Sequence, residues 1–253
     1  MNKDSIAAQL YTLRNYMKTP EDIKKSLERV KKIGYNAVQV SGIGPIEPER
    51  LKDITDELGL KICATHTPFE RFKNDLSAVI KEHKLWGCEY VGIGSMPREY
   101  ERNAAGFTKF AKEFSEIGRR LADNGLHFIY HDHKFEFEKF DGTIGLEILL
   151  NESDPDAFGF EIDTYWVQAG GANPVDWINK VKGRMKVVHL KDFAIVDDKQ
   201  VFAEIGQGNL NWPEILKACR ETGVKWYAVE QDTSFRNPFD SLDMSFKYLE
   251  KLV

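Results

Sequence analysis

Cysteine is scarce in this chain. Cys63, Cys88 and Cys219 stand far apart, and none forms a C-x-x-C pair. An odd, dispersed set argues against a disulfide-stapled fold and fits a reducing compartment. No run approaches the roughly 18 apolar residues of a membrane span. The opening MNKDSIAAQLYTLRNYMK has neither an apolar signal core nor a small-residue cleavage site. The expectation is a cytoplasmic chain with no membrane partner. Basic residues are not in excess: 35 Lys and Arg face 40 Asp and Glu, a net charge of -5, so nucleic acid is not expected as a partner either. No stretch rich in Pro, Gly and Ser marks a linker, and residues 1–253 are expected to form a single domain.

What the chain does have is alternation. A short β-branched or aromatic run, a polar turn and an amphipathic stretch of helical period recur about eight times. The predicted strands are Ile6–Tyr11, Ala37–Ser41, Lys61–His66, Tyr90–Gly94, His127–His131, Gly159–Asp163, Lys186–Lys191 and Trp226–Glu230. The predicted helices are Pro20–Ile33, Pro48–Leu58, Leu76–Trp86, Ala104–Asn124, Pro174–Val181, Trp212–Thr222 and Ser241–Lys251, with the weakest helical signal near Thr143–Leu150. Composition that is 42% hydrophobic and 12% aromatic can fill the core such units require. A doubly wound open sheet would show the same rhythm, but it calls for a glycine fingerprint after the first strand, and Gln9–Arg14 contains no glycine. The expected fold is α/β, a (β/α)8 TIM barrel.

In such a barrel the active face lies at the C-terminal ends of the strands. Here those ends are polar: Ala64-Thr65-His66-Thr67, Tyr130-His131-Asp132-His133, Glu161-Ile162-Asp163, His189-Leu190-Lys191-Asp192 and Glu230-Gln231-Asp232. Alternation along an extended strand lets His131 project with His133, Glu161 with Asp163, and His189 with Lys191. Together His131, Asp163, His189 and Glu230 make a mixed nitrogen and oxygen set suited to one divalent ion. No local spacing supports that set, and only the barrel would bring it together.

These motifs, with Gln9-Leu10-Tyr11-Thr12-Leu13-Arg14 and Asp163-Thr164-Tyr165-Trp166, span nearly the whole chain, which resembles the xylose isomerase-like sugar phosphate isomerase/epimerase family. The resemblance implies a TIM barrel with one divalent metal at its mouth, acting on sugars, keto-sugars or inosose-type cyclitols. Mn²⁺ is the first expectation, with Zn²⁺, Co²⁺, Mg²⁺ and Fe²⁺ as alternatives. Asp163, His189 and Glu230 match the family's ligand motifs. Many ketose epimerases of the family present a glutamate on the fifth strand, where this chain has His131-Asp132-His133 and looks closer to a branch with His-Asn-His. That departure weakens a symmetric epimerase and raises the weight of a dehydratase.

The expected chemistry is isomerisation or epimerisation of a keto-sugar, sugar phosphate or inosose through a metal-stabilised enediolate, the alternative being a dehydratase or lyase on the same site. Glu230 is the first candidate base and Glu161 the second. His133 or Lys191 would protonate an oxygen, His66 would bind a substrate hydroxyl, and Trp166 and Gln9 would also line the substrate. The bland alternatives are a rim charge for Lys191, a structural carboxylate for Glu161 and an orienting role for His133. His83 and His127 read as structural. Gly206-Gln207-Gly208 could lie over the mouth but lacks the lysine of a nucleotide cradle. The remote rivals are an abasic-site endonuclease and a sugar-binding barrel without catalysis, and homo-oligomers are common in the family.

Overall fold

A computed structural model describes residues 1–252; Val253, the last residue of the expected domain, lies outside the described residues. Eight parallel strands run in the order β6-β5-β4-β3-β2-β1-β8-β7: β1 Ile6–Gln9, β2 Ala37–Val40, β3 Lys61–His66, β4 Tyr90–Ile93, β5 His127–His131, β6 Phe158–Glu161, β7 Val187–Leu190 and β8 Trp226–Val229. Parallel bridges Phe160↔Met185 and Asp163↔His189 bring β6 beside β7, nearly closing the barrel. Helices α1 Pro20–Ile33, α2 Pro48–Leu58, α3 Leu76–Trp86, α4 Ala104–Ala122, α5 Gly145–Glu152, α6 Pro174–Lys180, α7 Trp212–Thr222 and α8 Pro238–Glu250 surround it. The fold is the expected TIM barrel. No helix among the described residues is long and apolar enough to cross a membrane.

Two apolar layers hold this arrangement. The larger lies between strands and helices and contains Ile6, Val38, Ile62, Phe110, Phe158 and Leu242. The smaller is made by Ala7, Ala37, Cys63, Ala64, Tyr90, Ile129, Val187 and Ala228 and fills the lower barrel interior, as the strand alternation requires. Two residues further along the strands the same face turns polar: Gln9 after Ala7, Gln39 after Ala37, His131 after Ile129, His189 after Val187, and Glu230 after Ala228. Small apolar residues below and polar residues above make the mouth of this barrel.

Departures from the expected elements fall mostly at the mouth and have local causes. The first strand ends at Gln9 and not Tyr11, because the Gln9 side-chain carbonyl accepts the Tyr11 N–H at 2.5 Å and turns the chain into a 3-10 helix, Leu10–Tyr16. The sixth strand ends before Asp163, whose carboxylate caps a short helix, Thr164–Ala169, by accepting the Trp166 N–H at 3.0 Å. An unforeseen antiparallel hairpin, Asp192–Val196 with Lys199–Ala203, follows β7. Its turn residues Asp197 and Asp198 have φ of 48° and 59°, which aspartate tolerates better than most side chains.

Candidate active site

The structure brings His131, Asp163, His189 and Glu230 together, all buried, with one ligand-capable atom from each lying within 4.8 Å of the others. The second heteroatom of every side chain is held elsewhere. His131 donates Nδ1–H to the Gly94 carbonyl at 3.2 Å, which leaves Nε2 facing Asp163 Oδ2, also at 3.2 Å. Asp163 spends Oδ1 on the Trp166 N–H, so Oδ2 faces inward. Gln39 donates its amide to Glu161 Oε1 at 2.8 Å and therefore accepts from His189 Nε2 at 2.7 Å, turning His189 Nδ1 toward Glu230 Oε2 at 3.2 Å. Gln9 donates to Glu230 Oε1 at 2.9 Å. Two imidazole nitrogens and two carboxylate oxygens, oriented by protein partners on their far sides, fit a divalent transition ion.

Lys191 sits in the same constellation. Its ammonium is wholly buried, 2.6 Å from Glu230 Oε2, 2.9 Å from Asp163 Oδ2 and 2.8 Å from Asp232 Oδ2. Burial alone would lower the lysine pKa, but the three carboxylates outweigh it and hold the ammonium well above its ordinary value. The same balance acts in reverse on the acids. Burial pushes Asp163 and Glu230 up, while Lys191 and the neighbouring imidazoles hold both well below the usual carboxylate range. Lys191 therefore lies in the interior, not on the rim.

Glu161 belongs to an adjoining group on the other side of the His189 ring. Its Oε2 is 2.6 Å from His66 Nε2 and 3.3 Å from His189 Nε2. Burial raises the Glu161 carboxyl, and the two imidazoles more than offset that, leaving it below its ordinary value. Gly92 on β4 and Gly94 just beyond its end make room for His66: a Cβ on Gly94 would come 3.0 Å from its ring. His133 is partly exposed and packs between Phe135 and Trp166, at 6.0 and 5.2 Å between ring centroids. Its Nδ1 and the Trp166 indole N–H are buried without protein partners. Burial, followed by the charges of His131 and Lys191, holds His133 well below the usual imidazole pKa.

Some contributors were not singled out from sequence. Gln39 links Glu161 to His189, Asp232 shares Lys191, and Asp132 accepts the Asp163 backbone N–H at 2.9 Å. Conversely, the Gly206–Gly208 segment is committed to the chain itself. The Asp192 carboxylate accepts from the backbone of Phe193, Gly206, Gly208 and Leu210 and from the Trp212 indole at 2.7–3.3 Å. His83 is structural, with Nδ1 on the Val79 carbonyl at 2.7 Å and Nε2 against Thr65 Oγ1 at 2.8 Å.

A (β/α)8 barrel whose mouth converges on two imidazoles, two carboxylates and a buried ammonium defines a class of candidate cation-assisted catalysts. The family model for the xylose isomerase-like TIM barrel matches residues 27–252, and the chain belongs to that family. It is 23% identical over 268 residues to an inosose dehydratase of Lacticaseibacillus casei, covering 90% of this chain and 88% of that one. An inosose dehydratase of Bacillus cereus (strain AH820) is 26% identical over 203 residues, covering 71% and 67%. Among solved structures, a sugar phosphate isomerase/epimerase from Parabacteroides distasonis ATCC 8503 superposes with a TM-score of 0.84 at 26% identity, covering 99% of this chain and 94% of that one.

Proposed function

We propose that this chain is a divalent-metal-dependent dehydratase acting on a small keto-sugar or keto-cyclitol. The observation that carries the reading is the convergence of His131 Nε2, Asp163 Oδ2, His189 Nδ1 and Glu230 Oε2, each oriented from behind by the protein. These four residues would hold the ion, Mn²⁺ in the first instance. When bound, such an ion supplies Lewis-acid polarisation of a carbonyl and its neighbouring hydroxyl, which acidifies the α C–H.

The remaining roles fall to side chains around that set. Both Glu230 oxygens are engaged, by Gln9 and by Lys191 with His189, so we assign proton removal to His133, which has a buried ring nitrogen without a partner. The hydrogen-bonded Lys191–Asp232 pair, whose carboxyl burial raises above its ordinary value, gives a proton to the departing hydroxyl, the C–O bond breaks, and water leaves. His66, braced by Glu161, binds a substrate hydroxyl, and Trp166 forms an apolar wall for the ring. Elimination is favoured over epimerisation because an imidazole, His131, stands where a second metal-bound carboxylate would serve the opposite face of the substrate. The dehydratase relatives point the same way. The Parabacteroides neighbour favours the second reading, an isomerase or epimerase on the same set.

The reading is of a catalytic unit formed by the whole chain, with a small carbohydrate or cyclitol as partner. Its location is the cytosol, consistent with three free, buried cysteines. The test is incubation of manganese-loaded and metal-stripped protein with a keto-cyclitol in D₂O, followed by NMR and ultraviolet absorbance. Loss of water to give a conjugated ketone, seen only with the loaded protein, is expected. Proton exchange without loss of water selects the epimerase reading, and full turnover by stripped protein overturns both.

A further inference from the structure

We propose that the substrate carries an anionic group, a phosphate or a carboxylate, seated by Arg98 and Arg102 beside the reacting centre; this rests on the reading that the mouth works on a carbonyl compound. A cavity of about 500 Å³ opens alongside the donor cluster, its lining including His66, Gly94, Arg98 and Arg102. Two of its lining residues adjoin the cluster: His66 pairs with Glu161 in the neighbouring group, and the Gly94 carbonyl holds His131. A molecule reaching from the candidate ion into this cavity would therefore pass from His66 to the two guanidinium groups.

At the centre the Lys191 ammonium faces Asp163, Glu230 and Asp232. Arg98 and Arg102 lie outside that set, and Arg102 is near enough to buried Glu136 to act against the upward shift of its carboxyl. Among the described residues neither side chain forms an ion pair or a hydrogen bond, as is also true of Arg29, Arg120 and Arg220, whereas Arg50, Arg71, Arg119 and Arg236 each reach a carboxylate and Arg14 and Arg184 donate to backbone carbonyls. Arg102 is nonetheless held in place: its guanidinium lies 3.6 Å from the Phe135 ring centroid, and Phe135 in turn stacks on His133 with an interplanar angle of 17°. Stacking fixes the plane of a guanidinium while leaving its N–H donors free, which suits bidentate capture of a planar or tetrahedral oxyanion. A neutral polyol would leave these donors to water.

The experiment measures binding of D-ribulose, D-ribulose 5-phosphate, 3-dehydroshikimate and inorganic phosphate to manganese-loaded protein by calorimetry, alongside turnover. At least one of the two charged ketones should bind about tenfold or more tightly than ribulose. The Arg98→Gln/Arg102→Gln variant should erase most of that advantage while leaving ribulose and Mn²⁺ affinity unchanged, and both side chains are exposed enough for the fold to tolerate it. Which charged ketone gains decides between phosphate and carboxylate. Equal affinity for charged and neutral ketones, or an advantage that survives in the double variant, overturns the proposal. Arginine-dependent binding of phosphate and the charged ketones without turnover of any ketone, the keto-cyclitol of the first test included, would leave the anion seat standing and remove the dehydratase reading. Turnover of ribulose matching that of its phosphate ester would do the reverse.

Discussion

At the foot of the barrel Asp4, Lys61, Glu89 and Lys225 line a cavity of about 630 Å³, yet their charges remain in water. Lys225 approaches Glu89 at 3.7 Å with both side chains more than half exposed. At the mouth, Lys191 is wholly buried and touches three carboxylates between 2.6 and 2.9 Å. Room alone does not set the candidate site apart in this molecule; desolvated charge held in a fixed geometry does. An exposed pair contributes at most about 1 kcal/mol, whereas breaking a buried one by removing a single partner costs about 3–5 kcal/mol.

That contrast is sharpest at Lys191. Lys191→Met leaves Asp163 and Glu230 buried without their main counter-charge, so the metal-free protein should lose about 3–5 kcal/mol of stability in urea melts. Adding Mn²⁺ should restore part of the loss, and unchanged melting with and without the ion would break the comparison.

A second, smaller effect concerns the support under the mouth. Glu136 is fully buried, accepts the Tyr130 hydroxyl at 2.5 Å and the His133 N–H at 3.0 Å, and burial pushes its carboxyl up to about 8. The folded chain then binds a proton there that the unfolded chain releases above its ordinary value of 4.5. The stabilisation from this group is present below that value and declines as pH rises toward about 8. Glu136→Gln should flatten the stability profile across this window and raise stability at its upper end; an unchanged slope in pH-dependent denaturation would locate the titration elsewhere. Smallest of all, Lys225→Ala should move stability by less than about 1 kcal/mol and leave turnover unchanged. A large loss of activity from it would mean that the foot takes part after all.

The mouth was legible in the sequence because the strand period carries it. In β1, β2, β5 and β7, and at the end of β8, an apolar residue is followed two positions later by a polar one, and the barrel assignment alone makes those polar residues converge. Gln39 escaped notice because it is a single amide inside an apolar run, Ala-Val-Gln-Val. The clue was its pairing with Gln9 in the register Ala7↔Ala37, Gln9↔Gln39, a repeat of the same step. The burial of Lys191 was not legible, since lysine belongs at the rim unless carboxylates from distant strands enclose it. Arg98 and Arg102 carry no pattern at all; their interest comes from the wall they share with His66. The hairpin after β7 was hidden by Asp197 and Asp198, whose left-handed turn resembles an ordinary charged loop until the strands are paired.

The Asp192 carboxylate, gathering four backbone amides and one indole, is in effect a tethered ligand. Because it is covalently attached, dilution cannot release it and free phosphate or sulfate competes for it only against a very high local concentration. The segment from Gly206 to Trp212, which joins the hairpin to the next helix, thus carries its own anion, and those donors are taken before any solution anion arrives.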